Sequence, residues 1–199
     1  MPSPAQLLDR AAELDRAVFH ATNVAGGPLL DGLAALLSDR AFGFAWGLAL
    51  AAAVVLRLAA AGGPRGPHLV RAALRPVLAI GLAAAASDFL GATVLRPAFG
   101  RRRPCYALAE GDFRPLLSAA DVGSLPSLHA SNFSALALAV ALADRRLGLV
   151  AWPVALAVGW SRVYGGVHWP GDVLGGVVWG SLAAVAARAV TRPLAVTRS

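Results

Sequence analysis

Long apolar blocks, separated by short clusters of arginine, glycine and proline, are the feature that most restricts how this chain can fold. Hydrophobic residues make up 57% of the sequence and charged residues only 15%, whereas soluble domains average about 45–50% and about 25%. A helix needs about 20 apolar residues to cross a bilayer. The blocks that approach this length predict five transmembrane helices, at 41–61, 76–95, 128–143, 147–164 and 173–190.

The first 40 residues differ from these blocks. Apolar positions recur at helical spacing among charged ones over 5–22, which predicts an amphipathic helix lying in the membrane interface. The apolar piece at 29–37 carries Asp31, and we expect it to be an interfacial cap without a catalytic role. The expected fold class is all-α: a polytopic membrane helical bundle of about five transmembrane helices plus an N-terminal amphipathic or interfacial segment. Its parts are the N-terminal segment 1–40, the transmembrane core 41–191 and a cytoplasmic tail 192–199.

The arginines that give the chain its net charge of +7 lie mainly at the ends of the apolar blocks. Topology and lipid headgroups account for such positions, so we expect a lipid bilayer as partner and no nucleic acid. The basic turns at 62–75 and 144–146 and the chain after 187 are predicted to be cytoplasmic. The loops at 96–125 and 165–171 then lie on the opposite side.

The source of the chain is also reflected in its composition. All eighteen basic residues are Arg, and Ala and Gly are abundant, which indicates a GC-rich bacterium. We therefore expect a multi-pass protein of the bacterial inner membrane whose polar loops face the periplasm. Cys105 is the one cysteine and the four histidines are scattered, which excludes an internal disulfide and predicts no metal site.

The segment 161–172 concentrates ionisable groups in an otherwise apolar region. His168 and Asp172 are four residues apart, so a helix beginning near Pro170 would bring the carboxylate close to the imidazole. Such a carboxylate fixes the histidine tautomer and leaves the other ring nitrogen free to attack. The guanidinium of Arg162 could hold an anionic substrate there. The alternative is a buried polar network that ties two helix ends together.

Two further clusters lie at the same ends of the predicted helices. Pro126 and the preceding serine indicate a helix start, where free backbone N–H groups, the Ser127 hydroxyl and His129 could bind an anion. The alternative is a simple helix cap with a solvated histidine. The loop that begins at Arg96 also contains Arg103. We expect its other arginines to be solvated or to contact lipid headgroups: Arg101, Arg102 and Arg114. For Asp88, inside the second apolar block, we favour a structural hydrogen bond over support of a site arginine.

Metal-free phosphoryl transfer through a phosphohistidine needs a set of groups that this chain has: arginines, a helix N-terminus, two histidines and one aspartate. Their order resembles the type-2 phosphatidic acid phosphatase family, the superfamily of lipid phosphate phosphatases and vanadium haloperoxidases. The family motifs are Lys-x6-Arg-Pro, Pro-Ser-Gly-His and Ser-Arg-x5-His-x3-Asp. The corresponding residues are Arg96, Arg103 and Pro104; Pro126, Ser127, Leu128 and His129; and Ser161, Arg162, His168 and Asp172.

The chain departs from these motifs at two positions. Arg96 replaces the family lysine but keeps the charge, in a chain that has no lysine at all. Leu128 replaces the family glycine and places a side chain beside the phosphate-binding turn. We expect this side chain to narrow the pocket or to alter the choice of substrate.

The resemblance implies a role for each motif residue. His168 would attack phosphorus, Asp172 would orient it, and His129 would protonate the leaving oxygen and then activate water. No metal or other cofactor is implied. The resemblance assigns phosphate binding to Arg96, Arg103, Ser127, Leu128 through its backbone N–H, and Arg162.

The expected function is an integral membrane lipid-phosphate phosphatase. Its substrate would be a lipid with a phosphate or diphosphate head, such as undecaprenyl diphosphate, phosphatidylglycerophosphate, phosphatidate or a lipid A phosphate. Two alternatives stay open: a lipid phosphotransferase with the same residues, and a non-catalytic protein that binds lipid phosphates. The apolar helices argue against a haloperoxidase. The sequence leaves the oligomeric state open.

Overall fold

The computed structural model describes residues 3–60, 66–121 and 123–192. Over these residues the fold is all-helical, so the predicted all-α membrane bundle is confirmed. The predicted tail 192–199 lies outside the described residues from 193 onward. The helices are α1 Pro4–Thr22, α2 Gly27–Leu37, α3 Arg40–Ala60, α4 Pro67–Leu90, a π-helical turn Gly91–Leu95, α5 Arg96–Phe99, α6 Pro104–Ala107, α7 Leu128–Ala143, α8 Arg145–Tyr164 and α9 Pro170–Val190.

Four of the five predicted spans are long and apolar enough to cross a membrane: Arg40–Ala60, Pro67–Ala107, Arg145–Tyr164 and Pro170–Val190. The stretch Pro67–Ala107 begins before the predicted start at Pro76, because that proline lies inside α4. The remaining predicted span, at 128–143, is α7, and it has only 16 residues. It packs against α4, α8 and α9 and is mostly buried, so its length is set by the bundle rather than by the thickness of the lipid.

Glycines let α9 approach α7 closely. A Cβ atom added at Gly180 would lie 2.0 Å from the carbonyl oxygen of Ser131, and one added at Gly176 would lie 2.6 Å from that of Ser127. Small residues four apart on one helix face are the usual means by which membrane helices come into backbone contact. This packing fixes the start of α7 against the first turns of α9.

The N-terminal helices pack on the same end of the bundle. Phe19 of α1 is fully buried, with its ring centroid 5.1 Å from that of Trp169. Asn23, which follows α1, donates a hydrogen bond to the carbonyl of Tyr164 over 2.8 Å. The apolar side chains of α1, such as Leu7 and Leu14, are exposed, as they would be in a helix at the membrane interface.

Candidate active site

The turn between α8 and α9 carries His168. The backbone N–H groups of Val167 and His168 both donate to the carbonyl of Arg162, over 3.2 Å each. Gly166 has φ of 81°, and a Cβ there would lie 2.8 Å from the carbonyl oxygen of Arg114, so the turn requires glycine at this position. These contacts fix the backbone of His168, whose side chain is buried.

Two charged side chains define the tautomer of His168. Nη1 of Arg103 lies 2.9 Å from Nε2 of His168, and Nδ1 of the same ring lies 3.4 Å from Oδ2 of Asp172. A guanidinium only donates hydrogen bonds, so Nε2 carries the lone pair and Nδ1 carries the proton. The distance to Asp172 is longer than an ordinary hydrogen bond, but an ionised carboxylate can only accept, which agrees with a proton on Nδ1.

Burial also keeps His168 neutral. It lowers the pKa of the imidazole from the usual 6.5 to about 3, and this effect exceeds the opposite one of the hydrogen bond to Asp172. The positive charges of Arg103 and Arg162 act in the same direction as burial. At neutral pH the ring therefore has a free lone pair on Nε2.

The carboxylate of Asp172 is fully buried and held on both oxygens. Oδ2 accepts hydrogen bonds from the backbone N–H of Trp169, over 2.9 Å, and from the hydroxyl of Ser124. Oδ1 accepts one from Nη1 of Arg101, over 2.9 Å. Asp172 lies in the first turn of α9, and Pro170 at the start of that helix accounts for its position.

Three predicted phosphate ligands surround the same turn. Nε of Arg96 donates to the carbonyl of Pro126 over 3.1 Å, and Arg103 donates to the carbonyl of Val167 over 3.1 Å. The guanidinium groups of Arg96, Arg103 and Arg162 lie close enough for their positive charges to repel one another. Buried guanidinium groups that repel each other favour the binding of an anion between them.

Several buried polar atoms at this place have no hydrogen-bond partner among the described residues: Nε of Arg103, Nε of Arg162 and Oγ of Ser127. Ser127 is the cap residue of α7, and its own N–H donates to the carbonyl of Asp172 over 3.0 Å. Buried polar groups in proteins are almost always paired. These atoms therefore indicate a site for a ligand that accepts hydrogen bonds at the start of α7.

The other two predicted residues of the second motif point to neighbouring helices. Nε2 of His129 donates a hydrogen bond to the carbonyl of Ser38, over 3.0 Å, and not to another predicted site residue. The side chain of Leu128 packs on Gly91, where an added Cβ would lie 2.6 Å from Cδ2 of the leucine. Gly91, the first residue of the π-helical turn, thus leaves room for the side chain that replaces the family glycine.

The expectation for the remaining loop arginines is wrong at two positions. Arg101 pairs with Asp172 and with Asp15 of α1, and Arg114 pairs with Asp31 of α2. Both have acidic partners that are distant in sequence, so they are not merely solvated. Arg102 is exposed, as expected. Asp88 accepts a hydrogen bond from Asn132 over 2.8 Å, a structural contact of the kind that we favoured, and its negative charge also acts on the site residue Arg96.

Sequence reasoning did not single out Arg101, Ser124, Asp15 and Ser38 for the site. Asp15 had one detectable signal: it is four residues before Phe19, and these two residues form the face of α1 that turns to the bundle. Ser38 acts through its backbone carbonyl, which no side-chain pattern reveals. Among the described residues, no three side chains of His, Cys, Asp or Glu come together in a way that could hold a metal ion.

Known proteins resemble this chain in sequence and in fold. YbjG of Escherichia coli K12, named as an undecaprenyl-diphosphatase, is 41% identical over 69 residues, which cover 34% of each chain. The match thus spans about a third of that relative. The crystal structure of Aquifex aeolicus LpxE has a TM-score of 0.64 at 21% identity and covers 86% of this chain and 92% of its own.

A second crystal structure, the transmembrane PAP2-type phosphatidylglycerolphosphate phosphatase of Bacillus subtilis, has a TM-score of 0.63 at 21% identity. It covers 95% of this chain and 90% of its own. At this identity the two structures establish a shared fold. The sequence model of the PAP2 superfamily matches residues 74–194, a range that holds all three motifs. The chain therefore belongs to the PAP2 superfamily, the family that its motifs predict.

Proposed function

We propose that this chain is an integral membrane phosphatase that removes phosphate from the head of a membrane lipid, with His168 as the nucleophile. The observation that carries this proposal is the Nε2 lone pair of a buried, neutral histidine beside three polar atoms that have no hydrogen-bond partner among the described residues, Nε of Arg103, Nε of Arg162 and Oγ of Ser127. Such donors stabilise the charge on the oxygens of a phosphoryl group during transfer.

Binding of the phosphoryl group would come first. Arg103 covers Nε2 of His168, so its guanidinium would turn from the imidazole to a phosphoryl oxygen as the substrate enters. The other donors at the turn are Arg96, Arg162, the hydroxyl of Ser127 and the backbone N–H of Leu128. Together they would supply hydrogen-bond donors to the three oxygens of a phosphoryl group.

In the first chemical step, the Nε2 lone pair forms a bond to phosphorus while the bond between phosphorus and the leaving oxygen breaks. His129 gives a proton to that oxygen. The carbonyl of Ser38 holds Nε2–H of His129. The proton would therefore come from Nδ1 of a doubly protonated His129, whose positive charge the bound phosphate would favour, and the ring would be left neutral with a lone pair on Nδ1 for the second step. Asp172 faces Nδ1–H of His168 and stabilises the positive charge that develops on the ring.

The second step releases phosphate. A water molecule attacks phosphorus, His129 takes a proton from that water, and the bond between phosphorus and Nε2 breaks. His168 returns to its neutral state. Acid–base assistance of this kind typically contributes about 10²–10⁴ in rate.

The site lies at one end of a bundle whose helices are apolar enough to span a membrane, which favours an amphiphilic substrate. The names of the relatives suggest undecaprenyl diphosphate and phosphatidylglycerophosphate, and phosphatidate and lipid A phosphates are further candidates. We propose that the site faces the periplasm, because the turn at 144–146, at the opposite end of α7, carries the arginines expected in the cytoplasm.

Phosphate release by the purified protein in detergent, with EDTA present, tests the proposal on this panel of lipids. We expect release from at least one lipid, and we expect His168→Ala to abolish it. His68→Ala, at the exposed start of α4, is the matched control and should leave it unchanged. Release that persists in folded His168→Ala protein would overturn the nucleophile assignment, and loss with EDTA would contradict metal independence.

The two other functions give different results in the same experiment. A phosphotransferase would produce a newly phosphorylated lipid when two lipids are supplied together, and little free phosphate. A binding protein would bind orthovanadate, a phosphate analogue, without releasing phosphate from any lipid.

A further inference from the structure

We propose that Arg101 is a positioning residue, which fixes the carboxylate of Asp172 and couples it, through Asp15, to helix α1. The inference rests on the proposed function, in which His168 attacks phosphorus and Asp172 orients it. It assigns to the N-terminal segment a part in the reaction that the sequence did not predict.

The guanidinium of Arg101 bridges two carboxylates. Nη1 donates to Oδ1 of Asp172 over 2.9 Å, and Nη2 donates to Oδ2 of Asp15. The other oxygen of Asp15 accepts a hydrogen bond from the backbone N–H of Gly171, over 2.6 Å. Asp15 therefore touches both the start of α9 and the arginine that holds Asp172. The planar fork of arginine suits this bridge, whereas a lysine offers only a point charge.

Arg101 also reaches the second oxygen of Asp172, through Ser124. The backbone N–H of Ser124 donates to the carbonyl of Arg101 over 2.7 Å, and the serine hydroxyl donates to Oδ2 of Asp172. Arg101 thus binds Oδ1 through its guanidinium and supports Ser124, a donor to Oδ2, through its backbone carbonyl. Oδ2, which accepts from Ser124 and from the N–H of Trp169, also faces Nδ1 of His168.

Charge makes this bridge necessary. Asp172 is fully buried, and a buried carboxylate is costly unless a cation accompanies it. His168 is neutral in this environment, so it does not supply that charge. Among the ion pairs of the described residues, Arg101 is the permanently charged partner of Asp172. Its guanidinium lies 5.6 Å from the centroid of the Trp169 ring, which further limits its movement.

Removing the bridge should therefore change the orientation of Asp172 and the tautomer of His168. With Arg101→Ala, Oδ1 has no cation and the carboxylate can turn. The preference for the proton on Nδ1 then weakens, and fewer molecules have a lone pair on Nε2. Because the phosphate ligands themselves are unchanged, kcat should fall much more than KM rises.

Two measurements on the full-length protein in detergent test this. Selective 15N-histidine labelling reports the tautomer of His168, whose signals are assigned by their loss in His168→Ala. Phosphate release from undecaprenyl diphosphate gives kcat and KM. For Arg101→Ala we expect a mixture of the two tautomers and a fall in kcat of about 10–100-fold, by analogy with the loss of a residue that orients a metal-ligating histidine.

Milder variants cover the case in which Arg101→Ala does not fold. Asp15→Asn keeps the shape of the bridge and removes its outer charge, and Arg101→Lys keeps the charge without the fork; both should give smaller effects in the same direction. Glu13→Gln and Arg102→Ala change the same charges at exposed positions and serve as matched controls. Recovery of kcat in Arg101→Ala on addition of guanidinium chloride would support the assignment.

The inference fails if the Asp15 and Arg101 variants keep the wild-type tautomer and kcat. It also fails if the two control variants lose activity to the same extent, because the effect would then be one of overall charge. These outcomes differ from failure of the proposed function, in which His168→Ala keeps its activity. The tautomer measurement decides the positioning role in either case.

Discussion

Arg103 donates a hydrogen bond to Nε2 of His168 over 2.9 Å. The nitrogen that would attack phosphorus is therefore an acceptor before any substrate arrives, and the proton of the ring is on the side of Asp172. Burial lowers the pKa of His168 to about 3, so the ring stays neutral well below physiological pH.

We predict that the 15N signals of His168 show a neutral ring with its proton on Nδ1 from about pH 8 to about pH 4. The sign of the effect on stability follows: an unfolded chain binds the proton near pH 6.5, while the folded protein does so only near 3. The free energy of unfolding should therefore fall as the pH drops from about 6.5 towards 3. His168→Ala should reduce this dependence. A His168 signal that titrates near pH 6.5 in the folded protein would contradict the assignment.

The orientation in the membrane can be tested with single cysteines. In a Cys105→Ala background, Asp112→Cys lies in the exposed loop before α7, and Arg146→Cys lies at the opposite end of that helix. If the site faces the periplasm, a membrane-impermeant maleimide should label position 112 in intact cells, and position 146 only after lysis. The reverse pattern would place the site in the cytoplasm.

The sequence was sufficient for the parts of the fold that depend on local composition. Apolar length located the four long helices and the shorter α7 of the core. The start signals at Pro126 and Pro170 placed the beginnings of α7 and α9 near the site. The separation of four residues was also enough to predict that Asp172 lies near His168, because the first turn of α9 follows the histidine. Arg103 of the first motif contacts His168 of the third, and the resemblance to the family predicts that these two motifs share a site.

Contacts between distant segments could not be predicted. Whether a loop arginine is solvated or paired depends on where α1 and α2 pack, and their apolar patterns do not show this. Asp15 and Arg101 are 86 residues apart, and Asp31 and Arg114 are 83 apart. The role of the Ser38 carbonyl is also hidden, because every residue has such a group. The tertiary packing of the N-terminal segment determines all three.

Arg114 is the residue that ties α2 to the loop before α7. It donates two hydrogen bonds to Asp31, over 3.1 and 3.0 Å, and its guanidinium lies 4.8 Å from the centroid of the Tyr164 ring. The Tyr164 hydroxyl donates to Asp31 as well, and this hydrogen bond is the main reason why the pKa of Asp31 is lowered. The two interactions together hold the beginning of α2 on the end of α8.

We predict that Arg114→Lys loosens this attachment, because a lysine cannot form the paired contact. Elastase should then cleave the link between α1 and α2, at Val24 or Ala25, up to about fivefold faster than in the wild type. Asp112→Asn, at an exposed position of the same loop, is the control and should not change the rate. Equal cleavage rates in wild type and Arg114→Lys would show that the pair does not hold α2 in place.

The contact between α7 and α9 predicts a sharp difference between two glycines. At Gly180 an added Cβ would lie 2.0 Å from the carbonyl oxygen of Ser131, which belongs to the backbone and cannot turn aside. The two helices must separate, and the displacement reaches Ser127 through the adjacent contact at Gly176. We expect Gly180→Ala to destabilise the protein by about 1–3 kcal/mol, the usual cost of overpacking, and to reduce phosphate release.

Gly81→Ala in α4 is the matched control, because a Cβ there would meet no atom within 4 Å. It should stabilise the helix by about 0.5–1 kcal/mol and leave activity unchanged, since alanine restricts the unfolded chain more than glycine does. Thermal unfolding in detergent compares the two variants directly. If Gly180→Ala were as stable as Gly81→Ala, the backbones of α7 and α9 would be farther apart than this packing requires, and the start of α7 would not be fixed by α9.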